Sequence, residues 1–210
     1  MQFVRDQLIE PGMTVIECGA HHGAQTILLS RWVGVSGKVI AIEPIPENVA
    51  ILQKNIEINE LTNVVVMTKA AGPSSGHISM KSRSNGAVSS TSNIGTIQID
   101  CITLDEISSE TETQPGLIKM DVEGYEYQIL KGAKSLLARS PAIFLEVHTL
   151  TLPRYGNVFD DLWSLVDAER YDLFIQDNDL KRPVKYTGGD PGGRVHLFFK
   201  PLSARGSIAN

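Results

Sequence analysis

The sequence predicts a doubly wound α/β fold with a mostly parallel sheet and an antiparallel last strand. Three observations carry this reading. β-Rich apolar runs alternate with helical patterns along the chain. A glycine-bearing segment, VIECGAHHG, falls at the first strand-to-helix turn. The closing strand follows its predecessor through a long polar connection, which permits a direct antiparallel pairing. The 210 residues, 42% of them hydrophobic, suffice for one ordinary domain with a substantial core, and residues 1–210 are read as that single domain.

Residues 1–12 are expected to form an N-terminal helix. Thr14 to Cys18 reads as the first strand and Ala24 to Trp32 as a helix. Lys38 to Ile42 follows as a strand, then a helix from Pro46 to Asn59 and a strand from Val64 to Thr68. In the second of these helices Pro46 suits the first turn, Glu47 complements the dipole, and Val49, Leu52 and Ile56 share one face. The rhythm then breaks. Residues 72–95, rich in Gly and Ser, read as an excursion or lid, and IQIDCITL resumes an extended pattern.

LIKMD forms the next buried strand, Tyr125 to Arg139 a helix with Ile129, Ala133, Leu136 and Leu137 inward, and AIFLEV another strand. A helix near Val158 to Glu169, a strand at Tyr171 to Gln176, the GGDPGG connection and a strand at Val195 to Lys200 complete the pattern. Residues 203–210 read as a loose tail. Right-handed crossovers place helices on both faces of such a sheet, and ligands bind beyond the carboxyl ends of the strands. The post-strand loops 17–23, 43–46, 69–95, 121–124, 146–157 and 176–193 are therefore the walls of one expected cleft.

Composition narrows the function classes. A net charge of -5 gives no overall attraction to a polyanion, so nucleic acid is not an expected partner. No window approaches eighteen consecutive apolar residues, and Arg5, Asp6 and Glu10 stand where a signal peptide would be apolar, so neither a membrane nor export is expected and the cytoplasm is the expected location. Cys18 and Cys101 lack metal-ligand spacing and read as reduced, buried side chains. Oligomeric state leaves no trace in the sequence.

Glu17, Gly19 and Gly23 form E-x-G-x-x-x-G between a strand and a helix, where glycines let a ligand approach the backbone and helix amides face it. Ala20 belongs to the same turn. His21 replaces the middle glycine of a dinucleotide fingerprint, which argues against a pyrophosphate and against a nicotinamide oxidoreductase. Glu43 ends the second strand, where a carboxylate can accept hydrogen bonds from both hydroxyls of a ribose. Pro44 and Ile45 follow it, Ile45 as a cover for an adenine ring or as core. Ala70 opens the loop after the third strand.

VIECGAHHG, VIAIEPIPENVAILQKN, TLDEI, LIKMDVEGYEYQILKGA and IFLEVH together resemble the FkbM-type methyltransferases, a branch of the class I S-adenosylmethionine-dependent enzymes, over about residues 13–148. The most specific part is KMDVEGYEYQILKGA. The resemblance implies a seven-stranded Rossmann-like sheet, S-adenosyl-L-methionine as cofactor with S-adenosyl-L-homocysteine as product, and methylation of a hydroxyl on a small molecule, sugar or glycan. Glu17 and His21 depart from the usual Asp and Asn of the pattern.

A sulfonium donor is already activated, so the protein must chiefly align the acceptor, exclude water and take up a proton. Asp121 and Glu123 end the fourth parallel strand, and Glu123 also suits a helix cap. His148 ends the next strand with Glu146 on its face, and its ordinary pKa suits a proton acceptor at neutral pH. Asp121 is the competing base and a cofactor contact. His21, His22, Asp121, Glu123 and His148 offer metal-ligand chemistry, but without short paired spacing no metal is expected. Arg83, Arg182, Lys185 and Tyr186 read either as acceptor-orienting groups or as solvated surface. Transfer to nitrogen, or a cofactor-binding subunit without catalysis, are the alternative functions.

Overall fold

The computed structural model describes residues 1–81, 96–177 and 181–202. The expected tail at 203–210, most of the expected excursion and Arg83 lie outside the described residues. Helix α1 (Gln2–Gln7) is shorter than the expected N-terminal helix, and β1 (Thr14–Cys18), α2 (Ala24–Val33), β2 (Lys38–Ile42), α3 (Pro46–Ile58) and β3 (Val64–Met67) follow as a βαβαβ unit. In α3 Pro46 occupies the first turn with Glu47, and Val49 and Leu52 are buried.

The excursion builds structure of its own. β4 (Ala70–Ala71), β5 (Gly76–Lys81) and β6 (Thr96–Ile102) form a separate three-stranded sheet in the order β4-β6-β5. Next come α4 (Leu104–Glu110), β7 (Leu117–Asp121), α5 (Glu126–Lys131), α6 (Lys134–Leu137) and β8 (Ala142–His148). β9 (Tyr171–Gln176), β10 (Val184–Lys185) and β11 (Arg194–Pro201) end the described chain. The main sheet runs β3-β2-β1-β7-β8-β11-β9-β10. It holds the seven expected strands, and the two-residue β10 is added at one edge. β11 pairs antiparallel with its predecessor β9, as a direct connection allows, and on its other side antiparallel with β8.

Two helical expectations are corrected. The single helix from Tyr125 to Arg139 is broken at Gly132, because the Asp105 carboxylate accepts hydrogen bonds from the backbone of Ser135 and Leu136 and so starts α6 afresh. Gly132 also leaves no room for a side chain, since an added Cβ would stand 2.3 Å from the Gly72 carbonyl oxygen. The segment from Val158 to Glu169 forms 3-10 turns at Phe159–Ser164 and Ala168–Arg170 instead of an α-helix. Phe159 and Leu162, its buried residues, are three apart, which matches a three-residue turn.

Side chains of opposite parity feed two apolar layers. Ile16, Ile118, Ile143 and Leu145 pack with Ile107, Ile129 and Phe159 on one face. Val15, Leu117, Phe144 and Phe198 pack with Val4, Leu29 and Val33 on the other. Toward the carboxyl ends of the strands this second face changes character. The register places Glu17 beside Lys119, Asp121 beside Glu146, Glu146 beside His196 and His148 beside Arg194, forming one polar band across four strands.

Candidate functional site

Two adjoining cavities open along the carboxyl edge of β1, β2 and β7, and Gly19, Glu43 and Asp121 line both. The first is mainly apolar, walled by Ile42, Pro44, Ala70, Ala71, Val122 and Tyr125 and closed by Ile78 and Met80 from the excursion sheet. The second, of about 360 Å³, is polar and lined by Glu17, His21, His22, Gln25, Lys119 and Glu123.

Gly19 makes the junction possible. Its φ is +79°, and an added Cβ would stand 2.0 Å from the carbonyl oxygen of Asp121, so the loops after β1 and β7 meet only if this residue lacks a side chain. Gly23 serves packing: its added Cβ would stand 2.5 Å from Leu52 of α3. His21 keeps a left-handed backbone, φ 50°, and its N–H donates to Glu43 Oε2 at 2.8 Å. Its ring stacks on His22 with centroids 3.8 Å apart.

Glu43 is buried and held from three sides, by the N–H of His21 and, at Oε1, by the Ile45 N–H at 3.0 Å and Asn48 Nδ2 at 3.1 Å. Three donors on a carboxylate with four lone-pair positions leave acceptor capacity at the cavity junction. Ile45 itself is buried at the start of α3 and lines neither cavity, so of its two expected roles the structure places it in the core. Gly23 likewise lines neither, whereas Ala20, Pro44 and Ala70 do reach the cavities.

Glu17 and Lys119 are buried opposite each other with Lys119 Nζ 3.6 Å from Glu17 Oε1, and Thr26 Oγ1 donates to Glu17 Oε2 at 2.6 Å. Burial raises the pKa of Glu17 in spite of Lys119 and Thr26. Glu17 Oε1 and Gln25 Oε1 are buried acceptors with no hydrogen-bond partner. S-Adenosylmethionine, the cofactor implied by the resemblance, joins a purine through a ribose diol to a zwitterionic amino acid. The residues fit it: an apolar cavity, a carboxylate at the junction, and a polar cavity whose orphaned acceptors and lysine suit an ammonium and a carboxylate.

His148 stands among acids. Its Nδ1 is 3.6 Å from Glu123 Oε2, and its Nε2 is 3.6 Å from Glu146 Oε1 and 3.9 Å from Asp121 Oδ1. Glu146 raises the pKa of His148 against burial, and Glu123 and Glu126 add to the effect. Burial raises that of Asp121, more than Lys119 lowers it. For Glu146 burial acts upward, but the imidazoles of His148 and His196 and the Arg194 guanidinium carry it well below the usual carboxylate range. Asp121, Glu146 and His148 each bring a donor atom within 4.8 Å of the others, the one such triple among the described residues. Glu146 already gives one oxygen to Arg194 and the other to His196, so organic donors hold this acid–imidazole network together.

Tyr125, the residue before α5, makes no side-chain cap, and Glu126 Oε1 accepts the Gly124 N–H at 3.0 Å. Glu123, at φ 57°, lines the polar cavity. Lys185, on the exposed β10, pairs with Asp172, and Tyr186 stacks on Trp163 and donates to the Gly189 carbonyl. Arg182 is exposed beside α1. Cys18 and Cys101 are free and buried, and burial pushes the Cys18 thiol up to about 12. No helix among the described residues is long and apolar enough to cross a membrane.

Sequence reading missed Lys119, Gln25, Ile78, Met80, Arg194 and His196. A signal existed for three of them. Lys119, Arg194 and His196 interrupt apolar strands with the period of two that assigns them to one face.

A Rossmann-like sheet with this strand order, an antiparallel strand inserted next to its edge and a cleft at the ends of β1, β2 and β7 is the class I methyltransferase fold. The chain belongs to the methyltransferase FkbM domain family, whose model matches residues 17–173. It is 28% identical over 142 residues to the hexuronic acid methyltransferase AglP of Haloferax volcanii, covering 66% of this chain and 57% of that protein. The crystal structure of methyltransferase FkbM from Methylobacillus flagellatus is similar with a TM-score of 0.58 at 20% identity, covering 91% of this chain and 44% of that one. A SAM-dependent O-methyltransferase from Thermotoga maritima gives 0.57 at 14% identity, with 97% and 65% coverage. The chain thus spans about half the length of the first two.

Proposed function

We propose that this protein is an S-adenosylmethionine-dependent methyltransferase acting on a hydroxyl of a sugar, glycan or other small molecule. The observation that carries the reading is the pair of cavities meeting at Gly19, Glu43 and Asp121, apolar on one side and zwitterion-suited on the other. Family membership and the likeness to the hexuronic acid methyltransferase of Haloferax support the sugar class.

Glu43 would accept from the ribose hydroxyls, Pro44, Ala70 and Tyr125 would flank the purine, and Glu17, Gln25 and Lys119 would hold the amino-acid end. Bound there, the cofactor supplies an electrophilic methyl group on a positively charged sulfur. An acceptor hydroxyl placed beside that sulfonium would take the methyl group and have to give up its proton. That proton passes to His148 Nε2, which is buried without a hydrogen-bond partner beside Asp121. Transfer to oxygen is favoured over nitrogen because a hydroxyl is the acceptor that most needs such a base.

The test combines calorimetric titration with S-adenosylhomocysteine and labelled methyl transfer to a panel of neutral and acidic sugars. Absence of binding would sink the cofactor reading. Binding with methylation of amines alone would replace oxygen by nitrogen, and binding with no transfer to any acceptor would leave a cofactor-binding subunit.

A further inference from the structure

Glu146 is a carboxylate in a place built for an apolar side chain. It continues the face on which Phe144 and Phe198 stack at 4.9 Å, and its side chain is 9% exposed. A leucine there would complete the layer without desolvating a charge. The acid is instead anchored from the antiparallel strand. Arg194 Nη1 donates to Oε1 at 2.9 Å, and His196 Nε2 lies 3.0 Å from Oε2. With one nitrogen on each oxygen, the plane of the carboxylate is set by β11. His196 is itself steadied at Nδ1, 3.4 Å from Gln176 Oε1 on β9.

His148 is held differently. The 3.6 Å from its Nε2 to Glu146 Oε1 exceeds a hydrogen bond, and that nitrogen has no partner. The acid is tied from behind, whereas His148 Nε2 is a buried nitrogen that still lacks a hydrogen-bond partner. We infer that Arg194 and His196 are positioning residues, which hold Glu146 in one orientation against His148 so that the imidazole keeps Nε2 for the acceptor.

This inference rests on the base role proposed above. The charged and titratable groups around His148 are Asp121 and Glu123 at the end of β7, Glu126 on α5, Glu146 on β8 and Arg194 on β11. Removing Glu146 takes away the nearest anchored anion, and removing Arg194 takes away the cation that offsets it. The two changes must therefore move the His148 titration in opposite directions.

The experiment is a titration of the histidine side chains by nitrogen-15 NMR in the full chain, with a pH profile of kcat/KM beside it. Glu146→Gln is expected to lower the His148 midpoint, and Arg194→Met to raise it. The acid limb of the rate profile should follow each. His196→Leu, which frees Oε2, should lower kcat roughly tenfold with the cofactor Kd unchanged, and His196→Gln, which restores a donor, should recover most of it. Arg194→Lys keeps the charge and should leave the midpoint near wild type, which covers the case of an unstable Arg194→Met. A His148 midpoint that ignores both Glu146→Gln and Arg194→Met overturns the coupling. Equal kcat in wild type, His196→Leu and His196→Gln overturns the positioning. Full activity of His148→Asn with the midpoint shifts intact would instead remove the base reading, and with it this role in the reaction.

Discussion

Glu17 on β1 and Lys119 on β7 are direct neighbours in the parallel register, both buried, yet their charged atoms stand 3.6 Å apart and one carboxylate oxygen has no hydrogen-bond partner. A pair kept solely for stability would close that gap. Here the opening faces the polar cavity.

Lys119→Met leaves a buried carboxylate with Thr26 as its remaining donor, and a loss of about 3–5 kcal/mol is expected in urea unfolding. Adding Glu17→Gln should recover most of that stability while the affinity for S-adenosylhomocysteine stays reduced. Recovery of both would mean that the pair is structural alone.

Glu43→Ala removes the acceptor for three donors and the proposed ribose contact at once. Weakening of S-adenosylhomocysteine by at least about 30-fold is expected, from roughly 2 kcal/mol for charge-assisted hydrogen bonds. Glu43→Asp, one methylene shorter, should bind between the two. Wild-type affinity in Glu43→Ala, read by calorimetry, would remove the carboxylate from the cofactor site.

Glu126 gives a pH signature. Burial pushes its pKa up to about 7 from 4.5, more than the hydrogen bond from Gly124 lowers it. A raised value means that the stability it permits is full below 4.5 and is lost as pH rises through about 7. The loss amounts to about 3 kcal/mol. Glu126→Gln keeps an acceptor for the Gly124 N–H and carries no charge, so its unfolding free energy should fall less between pH 5 and pH 8 than that of the wild type. Parallel curves for the two proteins would contradict the assignment.

His148→Asn should slow methyl transfer by roughly 10²–10⁴-fold with little effect on cofactor affinity. Because the surrounding acids raise the imidazole pKa above its ordinary 6.5, the wild-type rate should rise with pH on the alkaline side of that value. A rate already flat from pH 5 upward would show that His148 is not the proton acceptor, and Asp121→Asn becomes the next variant to measure.

The strands were legible because burial on both faces writes them as continuous apolar runs, and β1, β2, β7 and β8 fall where the runs do. The break at Gly132 was hidden, since Asp105, which starts the second helix, comes from a segment nearly thirty residues away. Glu43 and Gly19 could be read from local context because each sits at a strand end. Arg194 and His196 could not be placed beside Glu146, because the order β8-β11-β9 is settled by pairing across about fifty residues. The walls contributed by Ile78 and Met80 come from a segment whose glycines and serines concealed a sheet.

The insertion of β11 between β8 and β9 also sets an order of assembly. β9 reaches β8 only through β11, the last described strand in chain order, so this side of the sheet closes after every other described strand has been made. An intermediate containing β1, β2 and β7 already owns the glycine turn and Glu43, but its Glu146 has neither Arg194 nor His196. During synthesis the chain therefore holds the groups that would grip a ligand before it completes its proton-accepting cluster.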